Sequence, residues 1–269
     1  MRYLPNGKQM SEADAHTIHE IGIPSLVLME RAALQIVETM HKKNISTEKS
    51  LIVCGSGNNG GDGFAVARLL TEQGKHADVL FAGKEASLSE ECRCQKQIVE
   101  NMGISVFTEF PDEEYTVIID AVFGVGLCRE ITGHYKDVID WMNLQDAEKV
   151  AVDIPSGICA ATGKILGTAF RADLTVCMAC AKLGCELFPG KSYAGESIPV
   201  AIGIDPKYFS NRLDVCYTFD KNDLGKLLPS RMMNSHKGSY GKVLMITGSP
   251  GMAGAAFLSA CAAYTVGAG

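Results

Sequence analysis

The fold of this chain is decided by the stretch Leu51-Ile52-Val53-Cys54-Gly55-Ser56-Gly57-Asn58-Asn59-Gly60-Gly61-Asp62-Gly63. Its first four residues form a short apolar run that is typical of a buried strand, and residues 64–73 are spaced as a helix. The glycines between them permit unusual backbone conformations and let a ligand approach the main chain. We therefore predict a strand, a glycine-rich loop and a helix whose free amide groups bind a phosphate.

The alternation of strand and helix recurs on both sides of this stretch. Further strands are predicted at 77–82, 105–107, 116–121, 150–153, 174–178, 198–202 and 242–247, and further helices at 11–20, 24–41 and 89–102. Parallel strands need long crossover connections, which helices supply. The pattern predicts an α/β fold, a Rossmann-like three-layer sandwich with a mostly parallel central sheet.

The composition is that of an ordinary globular protein. Of the 269 residues 46% are hydrophobic and 21% are charged, which excludes a disordered chain. The formal net charge is −6 and no block of five Lys or Arg residues occurs, so we expect no nucleic-acid partner. The start lacks the apolar core of a signal peptide and no apolar run reaches the ~18 residues of a membrane span. We expect a cytoplasmic protein with no membrane partner.

The ten cysteines do not predict a disulfide framework. Most of them lie in apolar stretches, where a free thiol behaves as a small hydrophobic side chain. Cys177 and Cys180 have the CxxC spacing, but they end a strand-like run, and no second pair has zinc-site spacing. A reducing compartment is the interpretation that fits this pattern.

Two further motifs place oxygen-bearing side chains at the ends of predicted strands. Asp120 precedes the glycine loop Phe123-Gly124-Val125-Gly126, and Asp153 lies in the motif Val152-Asp153-Ile154-Pro155-Ser156-Gly157. Side chains at the carboxyl ends of parallel strands face one binding crevice. We therefore expect four side chains to converge there: Asn59, Asp120, Asp153 and Ser156.

Two neighbouring buried carboxylates require a counter-charge, because desolvating both would cost several kcal/mol. The available ligands are amide, carboxylate and hydroxyl oxygens, which select a hard cation over zinc or iron. Each carboxylate also has an ordinary structural interpretation, since Asp120 could cap a helix and Asp153 could form a turn. Their joint occurrence favours a bound cation.

Four motifs, in order within residues 1–210, resemble the NAD(P)HX epimerase family, the YjeF N-terminal domain. They are Leu28-Met29-Glu30-Arg31-Ala32, the glycine motif at 55–63, and the segments at 120–126 and 152–157. Residues 236–269 similarly resemble the opening of the ADP- or ATP-dependent NAD(P)H-hydrate dehydratase, a ribokinase-like fold. We predict an epimerase-like domain at 1–215, a connector at 216–235 and an incomplete dehydratase-like domain at 236–269.

The resemblance implies an activity, a cofactor and a set of site residues. The implied activity is epimerisation of the R and S forms of NADHX and NADPHX, which are hydrated at ring carbon 6, in a homodimer or higher homo-oligomer. In the full-length protein this would be coupled to ADP- or ATP-dependent dehydration of the S form. One potassium ion would bind Asn59, Asp120 and Ser156, and Asp153 would be the catalytic acid and base. The substrate-binding residues implied are Asn58, Asn59, Gly60, Gly61, Asp62, Gly124, Val125, Gly126, Leu127, Cys128, Arg129, Glu130 and Asp153.

The chain departs from the family pattern at Ser56, where Pro is usual, and at Ala33, where Gly is common. The alternative function is a non-catalytic nucleotide-binding or partner-binding YjeF-type module, against which the intact carboxylates argue. A sugar-kinase relative would require a catalytic motif that this chain does not reach. An ordinary dehydrogenase would have an acidic residue at the end of its second strand, whereas Asp78 lies near that strand's start.

Overall fold

The computed structural model describes residues 1–227, Ser230 and residues 232–268. The chain divides into two compact units, Met1–Thr218 and Phe219–Gly269. The predicted domain at 1–215 falls within the first unit. Four residues of the predicted connector and second domain lie outside the described residues: Leu228, Pro229, Arg231 and Gly269.

A seven-stranded, all-parallel sheet forms the centre of the first unit. Numbered after β1 (Arg2–Leu4), its strands are β2 Lys49–Cys54, β3 His76–Phe81, β4 Val106–Phe107, β5 Val117–Ala121, β6 Glu148–Val152, β7 Leu174–Met178 and β8 Glu196–Val200. They lie in the order β4-β3-β2-β5-β6-β7-β8. The first strand of this sheet, β2, is therefore central. Strands β3 and β4 extend the sheet to one edge, and β5 to β8 extend it from the other side of β2 to the opposite edge. This confirms the predicted fold class and places the topological switch point between β2 and β5.

A separate antiparallel pair joins the two ends of the first unit. Strand β1 pairs with β9 (Cys216–Thr218), with Arg2 opposite Thr218. The described helices of this unit are α1 Gly7–His16, a π-helix at Thr17–Ile21, α2 Ser25–Lys42, α3 Asn58–Glu72, α4 Glu90–Asn101, α5 His134–Leu144, α6 Leu183–Glu186 and α7 Lys191–Ala194, with short 3₁₀ turns at Glu85–Ser87 and Pro206–Phe209.

Both faces of the sheet are buried, as an all-parallel sheet requires. Alternate residues of β2 point to opposite faces, so that Ile52 belongs to one core cluster and Val53 to the other. Helices α2, α3 and α4 cover the first face, where Ile36 and Phe64 are fully buried. Helix α5, which the sequence did not predict, covers the second face through Val138.

Helix α1 begins earlier than predicted. The prediction placed its start at Ser11, whereas the helix begins at Gly7 and a capping box forms at its N-cap, Asn6. The Asn6 carboxamide accepts from the Gln9 main-chain N–H at 2.9 Å, and the Gln9 side chain accepts from the Asn6 N–H at 2.9 Å. Ser11 lies inside the helix, where its hydroxyl donates to the Gly7 carbonyl.

Helix α3 begins within the glycine motif, not after it. Its N-cap is Gly57, so most of the predicted loop forms the first turns of the helix. A Cβ atom at Gly63 would lie 2.6 Å from the Ala121 Cβ, and one at Gly60 would overlap the Gly55 carbonyl oxygen. These glycines let the helix approach the strands closely. The motif therefore serves close packing as well as ligand access.

The second unit contains α8 Leu224–Leu227, α9 Ala253–Val266 and two 3₁₀ turns at Lys221–Asp223 and Lys237–Tyr240. The predicted strand at 242–247 does not form, since the described residues of this unit offer it no neighbouring strand. Across the described part of the whole chain, no helix is both long and apolar enough to cross a membrane.

We expect the Gly60→Ala variant to lower the free energy of unfolding by ~2 kcal/mol or more, because the added Cβ overlaps a main-chain oxygen. Trp141, the single tryptophan, lies on α5, so its fluorescence in a urea titration reports unfolding of the first unit. Gly126→Ala is the control, since no atom lies within 4 Å of its added Cβ. Its expected loss is below ~0.5 kcal/mol. Equal losses in the two variants would contradict the packing role of Gly60.

Candidate active site

A cavity of about 830 Å³ lies over the carboxyl ends of the strands at the switch point. The loops that follow β2, β3, β5 and β6 contribute to its wall, and α1 and α2 close it from one side. Ten of the sequence-predicted residues line it: Asn58, Asn59, Asp62, Gly124, Val125, Gly126, Leu127, Cys128, Arg129 and Asp153.

The other predicted residues do not line this cavity. Gly60 and Gly61 are buried where α3 packs against its neighbours, and Glu130 is exposed outside the cavity wall. Asp120 and Ser156 are buried and contact Val122 and Phe123, which belong to the cavity wall. The structure therefore brings Asp120 and Ser156 into direct contact next to two wall residues, whereas Asn59 lies in the cavity wall itself.

Asp120 is the penultimate residue of β5 and is completely buried. Its Oδ2 accepts from the Ser156 main-chain N–H at 2.7 Å, while its Oδ1 accepts from the Ser156 hydroxyl at 2.6 Å and from the Val122 N–H at 3.2 Å. Burial raises the pKa of this carboxyl to about 6, although the three hydrogen bonds oppose the shift. In the described part of the chain no cationic side chain pairs with Asp120. It bridges two loops and does not cap a helix.

Ser156 joins the loops that follow β5 and β6. Its hydroxyl accepts from the Phe123 main-chain N–H at 2.8 Å while donating to Asp120. Phe123 is thereby tied to the loop that carries Asp153. The bonds hold both loops in one arrangement beside the cavity.

Asn59 lies in the first turn of α3, with its side chain against Gly124. Its buried Nδ2 atom has no hydrogen-bond partner among the described residues. The two ends of a carboxamide have nearly the same shape, so rotation of this amide would place an unpartnered oxygen there instead. An unsatisfied amide together with an unbalanced carboxylate is a donor set that fits a cation bound by oxygen atoms.

Asp153 is paired with a lysine that the sequence analysis missed. Its backbone has φ 68°, and its Oδ1 accepts from the Met178 N–H at 2.8 Å and from the Lys182 ammonium group. Lys182 is fully buried and also donates to the Met178 carbonyl at 2.9 Å. Burial is the largest single influence and would lower the pKa of Lys182, but the charge of Asp153, its hydrogen bond and the neighbouring thiols of Cys177 and Cys185 together outweigh burial, and the pKa is raised.

The structure corrects one step of the sequence argument. The counter-charge of Asp153 is Lys182, so only Asp120 still calls for a cation. The available signal was a single charged residue in the run Cys177-Met178-Ala179-Cys180-Ala181-Lys182-Leu183, directly after a predicted strand. A charge that is buried in such a run must have a partner.

Asp62 also faces the cavity, from the first turns of α3. Among the described residues its side chain forms neither a hydrogen bond nor an ion pair. Removal from water raises the pKa of Asp62 well above its usual value, and the charges of Asp153 and Asp14 add to the shift, which Lys182 opposes. The shift favours a protonated Asp62, which can donate a hydrogen bond into the cavity.

Several known proteins are similar to this chain. It is 42% identical over 201 residues to an NAD(P)H-hydrate epimerase of Oenococcus oeni, covering 74% of this chain and 96% of that protein. It is 44% identical over 197 residues to one of Limosilactobacillus reuteri (strain DSM 20016), covering 72% and 93%. The bifunctional NAD(P)H-hydrate repair enzyme Nnr of Moorella thermoacetica is 35% identical over 285 residues, covering 99% of this chain but 53% of that enzyme.

A solved structure and a family model agree with these relatives. The crystal structure of yeast YNL200c superposes with a TM-score of 0.63 at 17% identity, covering 80% of this chain and 99% of the yeast chain, which shows a shared fold. The family model described as YjeF-related protein N-terminus matches residues 25–184. The chain therefore belongs to the YjeF N-terminal domain family.

Proposed function

We propose that this protein is an NAD(P)H-hydrate epimerase, which interconverts the R and S forms of NADHX and NADPHX. The observation that carries the proposal is the intact site of a chain that is 42% and 44% identical to two epimerases over most of their length. The glycine motif and the paired Asp153 line one cavity, and buried Asp120 is hydrogen-bonded to Val122 in its wall. Its volume of about 830 Å³ lies within the range of small-molecule sites.

The start of α3 supports binding of the substrate's diphosphate. The first amide groups of a helix have no partner within the helix, and the helix dipole adds partial positive charge there. At the N-cap, Gly57 has open space where a Cβ would lie, so an anion can approach the main chain. The diphosphate would bind at Gly57 and Asn58.

Potassium is proposed at Asn59, Asp120 and Ser156. Support comes from the unpartnered Asn59 amide and from the unbalanced charge of buried Asp120. When bound, the ion would balance that charge and attract substrate oxygens. Ser156 would keep the loop of Phe123 in place beside it.

Asp153 is proposed as the group that moves the proton. Epimerisation at ring carbon 6 can proceed by loss of the hydroxyl, assisted by the ring nitrogen, and return of water to the other face. The hydroxyl must gain a proton and the returning water must lose one. Lys182 and Met178 both bind Oδ1 of Asp153, and no described residue binds its second oxygen, so that oxygen can face the substrate. Asp62 is a second carboxyl in the same cavity and a rival for this role.

Three finer predictions remain part of the proposal. The homo-oligomer and the cytoplasmic location rest on the family resemblance and on composition. The dehydratase-like nature of residues 236–269 is supported by the bifunctional Moorella enzyme, which matches 99% of this chain. The alternative, a non-catalytic binding module, would bind the dinucleotide without converting it.

We expect Asp153→Asn to slow epimerisation by more than about tenfold, which corresponds to ~1.4 kcal/mol of barrier. The assay supplies a mixture of R- and S-NADHX with an S-specific dehydratase and follows consumption of the R form. Asp146→Asn, an exposed carboxylate in the loop before β6, is the control and should retain the wild-type rate. A rate within tenfold of wild type would refute the role of Asp153. A much larger loss in Asp62→Asn would assign the proton to Asp62.

We expect potassium to raise both the epimerase rate and the melting temperature relative to sodium at equal ionic strength, because a bound ion stabilises the folded state. Asn59→Ala should need roughly tenfold more potassium for either effect. Asn101→Ala, at the end of α4, should respond as the wild type does. If the rate and the melting temperature of the wild type, Asn59→Ala and Asn101→Ala all depend on potassium and sodium in the same way, the proposed potassium site is excluded.

We expect Lys182→Met to lower the free energy of unfolding by ~3 kcal/mol or more, since it leaves the charge of Asp153 without its partner. The double variant Lys182→Met with Asp153→Asn should recover part of this loss, because it removes the remaining charge. Trp141 fluorescence in urea measures both. Strictly additive losses would mean that the two side chains do not interact.

A further inference from the structure

The end of β3 carries a lysine where dinucleotide-binding sheets of this strand order usually carry an acid. Counted from the glycine motif, β3 is the second strand, and an acidic residue at its carboxyl end commonly binds the 2′-hydroxyl of the adenosine ribose. Here the strand is followed by Ala82, Gly83 and Lys84. Lys84 lines the cavity together with Ser56 and Ser87.

The single acidic residue within β3 cannot replace the missing acid. Asp78 is 3% exposed and lies in the amino-terminal half of the strand. Its Oδ2 accepts from the Tyr115 hydroxyl at 3.1 Å and lies 2.9 Å from the His76 Nε2. Asp78 therefore binds side chains near the amino-terminal ends of the strands, whereas the cavity lies at their carboxyl ends.

The main chain of Lys84 is fixed by one hydroxyl group. Ser56 Oγ accepts from the Lys84 N–H at 2.8 Å and lies 3.3 Å from the Lys84 carbonyl oxygen, to which it can donate. The Ser89 N–H donates to the Ser56 carbonyl at 2.9 Å. A Cβ at Gly83 would lie 2.8 Å from the Ser56 nitrogen, so the two loops approach as closely as a glycine permits.

This attachment depends on the side chain at position 56, because a residue without a hydroxyl could bind neither main-chain group of Lys84. Ser56 thus connects the phosphate-binding motif directly to the residue that follows the second strand.

The charge of Lys84 is available to a ligand. Its side chain is exposed, and nowhere in the described part of the chain does it pair with a carboxylate. Lys75, at the other end of β3, is instead paired with Glu48. A phosphomonoester carries about −1.5 to −2 charges near neutral pH and offers three acceptor oxygens, so it matches a free ammonium group in a cavity wall that also contains the Ser87 hydroxyl.

We propose that Lys84, positioned by Ser56, binds the 2′-phosphate of the adenosine ribose, so that the enzyme prefers NADPHX to NADHX. The inference rests on the proposed epimerase function and specifies its substrate. NADHX has a hydroxyl in place of this phosphate, and a lysine gains far less from a hydroxyl than from a dianion. If Lys84 instead bound the diphosphate, which both substrates carry, it would affect them equally.

The test compares kcat/KM for R-NADPHX and R-NADHX. The wild type should favour NADPHX, and Lys84→Met should reduce the ratio of the two values about tenfold, mainly through a higher KM for NADPHX. Lys84→Arg should keep the preference, and Ser56→Pro should lose part of it. Lys75→Met is the matched control and should leave the ratio unchanged. An unaltered ratio in Lys84→Met, including an equal loss on both substrates, overturns the proposal.

A binding measurement separates this inference from the epimerase function itself. Calorimetry compares adenosine 2′,5′-bisphosphate with adenosine 5′-monophosphate, neither of which is turned over. The wild type should bind the bisphosphate more tightly, and Lys84→Met should lose that difference. The difference should also shrink at high salt, because Lys84 is exposed. A protein that shows this preference but converts neither hydrate would refute the epimerase function and keep the phosphate site, whereas equal binding of the two nucleotides would refute the site.

Discussion

The close approach of α3 to the sheet is the constraint on which the site depends. Glycines at positions 60 and 63 let the helix start directly at the end of β2, against Gly55 and Ala121. That start brings Asn59 beside Gly124 and leaves open space at Gly57 for an anion. With side chains at these positions the helix would have to move outward, and neither the Asn59 side chain nor the first amide groups of α3 would reach the cavity.

The electrostatics of the site follow from how each carboxylate is balanced. Asp153 is paired with buried Lys182, so its charge is compensated within the protein. Among the described residues Asp120 has hydrogen-bond partners but no cationic partner, and burial raises the pKa of its carboxyl to about 6. Within the same described ranges Asp62 has neither kind of partner, and removal from water favours its protonated form. Three carboxyl groups in or next to the cavity wall thus have three different environments, and such differences let the carboxyl groups of one site hold different protonation states.

The sequence predicted the parallel sheet and the convergence of the strand-end residues, because apolar runs and glycine motifs are local signals. It did not predict α5, whose burial depends on a sheet face that the helix pattern alone does not reveal. It also missed Lys182, since a partner 29 positions away from Asp153 is fixed only by the fold. The start of α3 within the glycine motif was missed because glycine is a poor helix former, and close packing overrides that propensity.

The antiparallel pairing of β1 with β9 holds the first and last strands of the first unit together, with Arg2 opposite Thr218. The two ends of the unit are therefore neighbours in space, although the whole sheet separates them along the chain. A circularly permuted version could join these ends with a short linker and open at the exposed turn around Gly74, remote from the strand ends that form the cavity. The order of the elements along the chain is thus not what holds the cavity together.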